Sequence, residues 1–120
     1  TRALAELVDL YPTLCELTGL PAPTHLQGES LTEVLKNPRR RENGTACSQY
    51  LRFRGKYMGR ALRTDRYRFV QWTELSTGKV VERELYDHHS DVAEMKNLAG
   101  VAGYQERLEL LTKQLAEKFR

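Results

Sequence analysis

The thiols and imidazoles of this 120-residue sequence are Cys15, Cys47, His25, His88 and His89. His88 and His89 lie between Asp87 and Asp91, a composition that suggests a metal site. Adjacent residues on an extended chain point to opposite sides, so the two imidazoles would chelate one ion poorly. No third histidine is near enough to complete a set. The stretch is expected to be a structured turn instead. His25 stands alone in a loop and reads as a surface or packing residue. Cys15 and Cys47 read as two small apolar thiols rather than as a disulfide or a nucleophile, and two cysteines do not identify a compartment. No glycine-rich phosphate loop and no serine elbow occurs. The sequence contains no complete catalytic set.

Charge is distributed unevenly. From Lys36 to Arg68 there are eleven Lys and Arg against Glu42 and Asp65, a local charge of +9. The net charge of the chain is +3, so the remaining residues sum to −6. Such a block suits a polyanionic partner, or it shapes the field around an anionic ligand. Equally, it can be a solvated face whose arginine stems cover apolar surface. The hydrophobic fraction of 40% and charged fraction of 29% describe a globular chain. Its apolar runs are far shorter than the roughly 20 residues that span a bilayer. No targeting leader is visible after Thr1.

The elements that must position these residues centre on Met58 to Trp72, MGRALRTDRYRFVQW. Two apolar and aromatic runs flank Thr64-Asp65-Arg66, which predicts a β-hairpin with Asp65 bonding the backbone of its turn. In the second run Tyr67 and Phe69 point one way, and Arg66, Arg68, Val70 and Trp72 the other. A hairpin alone is marginal in water. A strand from Thr45 to Phe53 before it and one from Val80 to Tyr86 after it predict a four-stranded antiparallel sheet. Val101, Tyr104, Leu108, Leu111, Leu115 and Phe119 recur at helical spacing, which predicts a C-terminal amphipathic helix on that sheet.

Upstream, Asp9 is the expected N-cap of a short helix that carries Leu10, Leu14 and Leu17 on one face and stops at Gly19. Ser30 with Glu33 predicts a capping box for a second short helix ended by Asn37-Pro38, and Asp91 with Glu94 suggests another. Asn43-Gly44-Thr45 matches the glycosylation acceptor pattern. Composition changes between residues 39 and 44, from Leu-rich and acidic to basic and aromatic. The fold class expected is therefore α+β, with two short helices (residues 1–37) followed by the sheet and its covering helix (residues 38–120).

ELVDLYPTLCELTGLPAP followed by LQGESLTEVLKNP is similar to the segment that closes the large α/β domain of sulfatases. TACSQY, MGRALRTDRYRFVQW and ELYDHHSDVAEMKNLA resemble their smaller C-terminal subdomain. The SQY and MGxxxRTDRYRxxxW pieces look most like the iduronate-2-sulfatase branch. Val92 departs from the usual Pro, and Arg60-Ala61 from an aromatic and a Ser.

The resemblance implies that residues 1–37 end the large α/β domain and residues 38–120 form the subdomain. It implies a portion of a hydrolase of sulfate esters on uronic acid or glycosaminoglycan-type sugars, from a family commonly periplasmic, secreted or lysosomal. That family uses formylglycine, made within C/S-x-P-x-R, and a divalent cation, usually calcium. Neither Cys15 nor Cys47 stands in that motif, so no catalytic residue and no metal ligand carries over, and the chain alone is expected to be inactive.

Partners implied are the missing N-terminal sulfatase domain and a sulfated carbohydrate, with no membrane; the isolated chain is expected to self-associate. Arg52, Arg54 and Lys56 are the expected substrate-side charges, or else they pair within the subdomain. Gln49 and Tyr50 are expected to pack. The alternative reading is a non-enzymatic module binding nucleic acid or sulfated glycan, with Tyr67, Phe69 and Trp72 as a stacking platform. No nucleic-acid motif supports the nucleic-acid form of it.

Overall fold

A computed structural model describes residues 1–39 and 44–119. The glycosylation pattern at Asn43 and most of the basic run at residues 39–41 lie outside the described residues. The chain forms two compact units, Thr1–Ala46 and Cys47–Arg120.

In the first unit a 3₁₀ turn, Leu7–Asp9, leads into helix α1, Leu10–Thr18, and helix α2 follows at Thr32–Lys36. Gly19 ends α1 at φ 70°, the left-handed conformation a glycine adopts without steric cost. Asp9 precedes the helix as expected but makes no cap bond to it. Its carboxylate accepts the Glu6 N–H at 2.8 Å and the Glu29 N–H at 3.0 Å. Thr13 Oγ1 likewise accepts the Leu31 N–H at 2.9 Å. These two residues tie the loop after Gly19 back onto α1. Gly28 allows that approach, because a Cβ there would meet the Val8 carbonyl oxygen at 2.1 Å.

The expected capping box at Ser30 and Glu33 does not form. Ser30 Oγ lies against Thr32 Oγ1, and Glu33 pairs instead with Lys36 at 2.9 Å. With Leu31 rather than Ser30 as the N-cap, the helix starts one residue later than its sequence pattern suggests.

The second unit is an antiparallel sheet in the order β1-β2-β3-β4: Ala46–Arg52, Tyr57–Arg63, Tyr67–Glu74 and Val80–Asp87. Helix α3, Gln105–Lys118, follows a 3₁₀ turn at Ala102–Tyr104. Leu62, Tyr67, Phe69, Leu85, Leu98, Leu108, Leu111 and Leu115 form the core between one sheet face and α3. The β2–β3 turn is held by Thr64 rather than by Asp65. Thr64 Oγ1 accepts the Tyr67 N–H at 2.8 Å, and the Thr64 N–H donates to the Tyr67 carbonyl at 2.8 Å. Asp65 is exposed. A hydroxyl one residue earlier does the work expected of the carboxylate.

After β4 the chain turns through 88–97 without a helix. Asp91 accepts the N–H groups of Met95 and Lys96 at 3.1 and 2.9 Å. Glu94 has φ 56°, which no helix tolerates, so the expected capping box is a turn. Both cysteines are thiols, Cys15 buried and Cys47 half-buried. Among the described residues no helix is long and apolar enough to cross a membrane.

Candidate functional site: the open face of the sheet

Strand alternation sends Leu62, Phe69 and Leu85 toward α3 and the intervening residues to the opposite face. The register pairs Gly59 with Trp72, Ala61 with Val70, and Arg63 with Arg68. Across the next boundary it pairs Trp72 with Glu82, Val70 with Glu84, and Arg68 with Tyr86. Together with Ser48, Tyr50 and Arg52 of β1, this face lines a groove of about 390 Å³. A second cleft of about 210 Å³ shares Arg52 and Trp72 with it and is completed by Phe53, Tyr57, Val81 and Glu82.

Trp72 is the hub. On the neighbouring strand Gly59 leaves room for its ring, since a Cβ there would lie 2.5 Å from the indole. The guanidinium of Arg52 lies 4.9 Å from the ring centroid, within cation–π range. The indole N–H donates to Glu84 Oε1 at 2.8 Å, and the Tyr86 hydroxyl donates to Glu84 Oε2 at 3.0 Å. Burial, and then the Glu84 carboxylate, push the Tyr86 phenol up, which keeps it protonated as a donor. Arg68 lies over Tyr86 at 5.3 Å and pairs with Glu94, whose other oxygen is 2.6 Å from His88 Nε2. A register shift between Trp72 and Thr73 bulges β4 and brings Val81 and Glu82 together beside the indole.

The three charges singled out in the sequence fall at one end of this face. Arg52 ends β1 and is stacked on Trp72. Lys56 Nζ is 5.0 Å from the Tyr57 ring centroid and 3.7 Å from Glu74. Tyr57 first, and then Glu74, hold its ammonium above the ordinary lysine range. Arg54 occupies the turn between them at φ 55° and is exposed.

Other members of the basic block are dispersed. Arg66 pairs with Asp87, Arg68 with Glu94, and Arg60 stacks on Phe119 on the helix side. Gln49 and Tyr50, expected to pack, are both exposed among the described residues, Tyr50 at 68%. The Tyr67-Phe69-Trp72 platform does not exist either. Tyr67 and Phe69 are buried in the helix-side core, whereas Trp72 is on the opposite face. His25 is exposed and His88 bonds Glu94.

The residues missed from sequence are Glu84, Glu94 and Phe53. Glu84 was accessible from alternation along β4, which places it beside Val70. Glu94 carried only a capping signal and Phe53 none, since each acts from an irregular turn.

A formylglycine and its cation do not fit the residues present. Cys15 is followed by Glu-Leu-Thr-Gly and Cys47 by Ser-Gln-Tyr-Leu. Among the described residues no group of three or more His, Cys, Asp or Glu is arranged to hold a metal. What the open face can do is present cations and aromatic surface to an anionic ligand.

Residues 1–120 match the family described as N-sulphoglucosamine sulphohydrolase, C-terminal. Over 95 residues the chain is 33% identical to a Delta 4,5-hexuronate-2-O-sulfatase of Bacteroides thetaiotaomicron, covering 77% of this chain and 19% of that protein. It is 30% identical over 104 residues to arylsulfatase K of Bos taurus, covering 81% of this chain and 19% of the relative. Among solved structures, a putative sulfatase of Bacteroides fragilis superposes with a TM-score of 0.78 at 26% identity, over 89% of this chain and 23% of that one. Another, in complex with its substrate D-glucosamine-2-N,6-O-disulfate, superposes with a TM-score of 0.74 at 27% identity, covering 92% of this chain and 23% of that one. The chain thus spans about a fifth of the length of the proteins it matches. With the family matched from end to end and the antiparallel sheet and terminal helix superposing on sulfatase structures, the chain belongs to the C-terminal family of the sulfatases.

Proposed function

We propose that this chain is the C-terminal portion of an enzyme that hydrolyses sulfate esters of uronic acid or glycosaminoglycan-type sugars, and that it shapes the substrate mouth. The observation that carries the reading is the family match over residues 1–120 to proteins about five times as long. On this reading residues 1–37 complete the large α/β domain and residues 38–120 form the small subdomain. The nucleophile and the divalent cation belong to the rest of the polypeptide, and the chain by itself hydrolyses nothing. Specificity of the iduronate-2-sulfatase type is the finer form of the proposal. The hexuronate-2-O-sulfatase relative and the RTDRYR and SQY motifs support it.

Arg52, Arg54 and Lys56 act as substrate-side cations. A sulfated uronate carries several negative charges, and a cationic rim raises its local concentration and orients it. Arg52 is held for that task by Trp72, which limits the rotamer freedom the side chain must give up on binding. Arg66 and Arg68 are taken up in ion pairs and Arg60 in a ring contact, which favours a local anion site over a continuous polyanion track.

The test is to sequence the gene upstream of Thr1 and assay its full product. A C/S-x-P-x-R motif upstream, with sulfate released from 2-O-sulfated uronates, is the expected result. In that product Arg52→Ala should raise KM on sulfated sugar by about tenfold, equivalent to one charge-assisted contact. A gene that begins at residue 1, or a product that releases no sulfate from any sulfated sugar, would overturn the proposal.

A further inference from the structure

The turn between β1 and β2 holds Phe53 at φ 51°, Arg54 at φ 55° and Gly55 at φ 86°. Only the last is a residue that enters this region without steric cost. Two non-glycine residues in succession therefore store backbone strain at an exposed hairpin tip, where a glycine would relieve it. Such strain persists where the surrounding structure imposes it, and it concentrates at binding sites. Here it aims a large ring outward. Phe53 is 75% exposed, and its ring contact is edge-on to Tyr57, with centroids 5.9 Å apart and planes at 87°.

Behind that ring is the cleft of about 210 Å³ lined by Arg52, Phe53, Tyr57, Trp72, Val81 and Glu82. Its volume is below the roughly 300–1,000 Å³ of pockets for drug-sized ligands, which suits a single ring rather than an oligomer. Aromatic walls match the C–H face of a sugar ring. Arg52 and Glu82 both line the cleft, and Arg54 and Lys56 beside Arg52 in the chain tip the balance of this end toward positive charge, which favours an anionic substituent over a cationic one.

We propose that this cleft is a subsite for one ring of a sulfated sugar, with Phe53 as its stacking platform. The inference rests on the sulfated-sugar reading above and adds to it a residue that determines specificity by shape rather than by charge. Arg52 reads the anion from the indole side, Phe53 covers the apolar face of the ring, and the left-handed turn fixes the angle between them.

The experiment is a titration of the full 120-residue chain followed by the emission of Trp72, its single tryptophan. The probes are D-glucosamine-2-N,6-O-disulfate, a 2-O-sulfated hexuronate disaccharide, unsulfated glucosamine and inorganic sulfate. At least one sulfated sugar is expected to change the emission saturably, and glucosamine is not. Phe53→Ala should weaken that binding by about tenfold and Phe53→Tyr by less than about threefold, with inorganic sulfate indifferent to both. Arg54→Gly should raise Tm while weakening the sugar, because it releases the turn. Exposure of Phe53 and Arg54 leaves the fold intact in all three variants, which melting curves verify.

If Phe53→Ala binds the sulfated sugar as tightly as the parent while Arg52→Ala loses it, the charge reading stands and the platform is refuted. Binding unchanged in Arg54→Gly would refute the role given to the turn. If neither sulfated sugar perturbs Trp72, the subsite and the placement of the substrate charges fall together.

Discussion

At the scale of single residues, Asp87 fastens the sheet unit. It is 1% exposed, yet its carboxylate accepts Arg66 Nε at 2.9 Å, Arg66 Nη2 at 2.6 Å and the His89 N–H at 3.1 Å. The β2–β3 turn is thereby bolted to the end of β4, through one residue of the RTDRYR motif and one of ELYD. Arg66 is the main cause that holds the Asp87 carboxyl below its ordinary 3.8, against the opposing effect of burial. A folded-state value below the unfolded one stabilises the fold above the unfolded value, and that stability is lost as pH falls through the folded value. Asp87→Asn is therefore expected to lower stability at pH 7 by about 2 kcal/mol, the scale of a hydrogen bond to a charged group. The gap to the parent should narrow as pH is taken below 3.8. Thermal melts at pH 7 and pH 3 showing the same gap would contradict the assignment. Gly59 is a second fastening. Gly59→Ala sets a methyl 2.5 Å from the indole, so overpacking should cost about 1–3 kcal/mol and redden Trp72 emission; an unmoved emission maximum would show that the ring does not need the space.

At the scale of elements, helix α3 decides whether the sheet has a core. Leu108, Leu111 and Leu115 are buried against Leu62, Phe69 and Leu85, and Leu111 is 2% exposed beside Leu110 at 44%. Leu111→Asp should cost at least the roughly 2–5 kcal/mol of a large-to-small core change, with loss of helical circular dichroism. Leu110→Asp should stay within about 0.5 kcal/mol. Equal melting points for the two would refute the placement. Every strand and this helix were legible in the sequence, because periods of two and 3.6 residues are long-range patterns that packing enforces. What was not legible is local. Asp9, Ser30, Asp65 and Asp91 are all residues that cap or turn, and in each case a neighbour or a distant N–H offered a better partner than the sequence spacing implied. The candidate site shows the same division. Arg52 and Lys56 could be nominated from the chain, but that Trp72 holds one and Tyr57 the other depends on cross-strand register and on turn geometry. The positive φ at Phe53 and Arg54 has no sequence signature, since neither residue type favours it.

At the scale of the whole molecule, the first unit leaves most of its apolar side chains uncovered. In α1 the residues buried are Pro12, Thr13 and Cys15, whereas Leu10, Leu14 and Leu17, the stripe the sequence places on one face, are exposed, Leu14 at 58%. Leu7, Leu20 and Leu35 are exposed with them. A nine-residue helix is too short to be stable in water on propensity alone, and its polar anchors to the following loop give it shape without giving its leucines a partner. Exposed leucines repeating at helical spacing along one short helix suit an interaction face. In a polypeptide five times as long, as the relatives are, the rest of the chain is the occupant the proposal assigns to it. Removed from that context, the face should find itself. The isolated chain is expected to sediment as a dimer or larger species at tens of micromolar and to bind an apolar dye. Replacing Leu10, Leu14 and Leu17 together by Lys should return it to monomer, because three like charges on one short stripe oppose pairing as well as removing its apolar area. The melting of the strand unit should not move, since none of the three belongs to its core. A clean monomer in the parent chain, with no dye-binding surface, would mean that the leucines need no partner and would remove the main physical argument for assigning residues 1–37 to a larger domain.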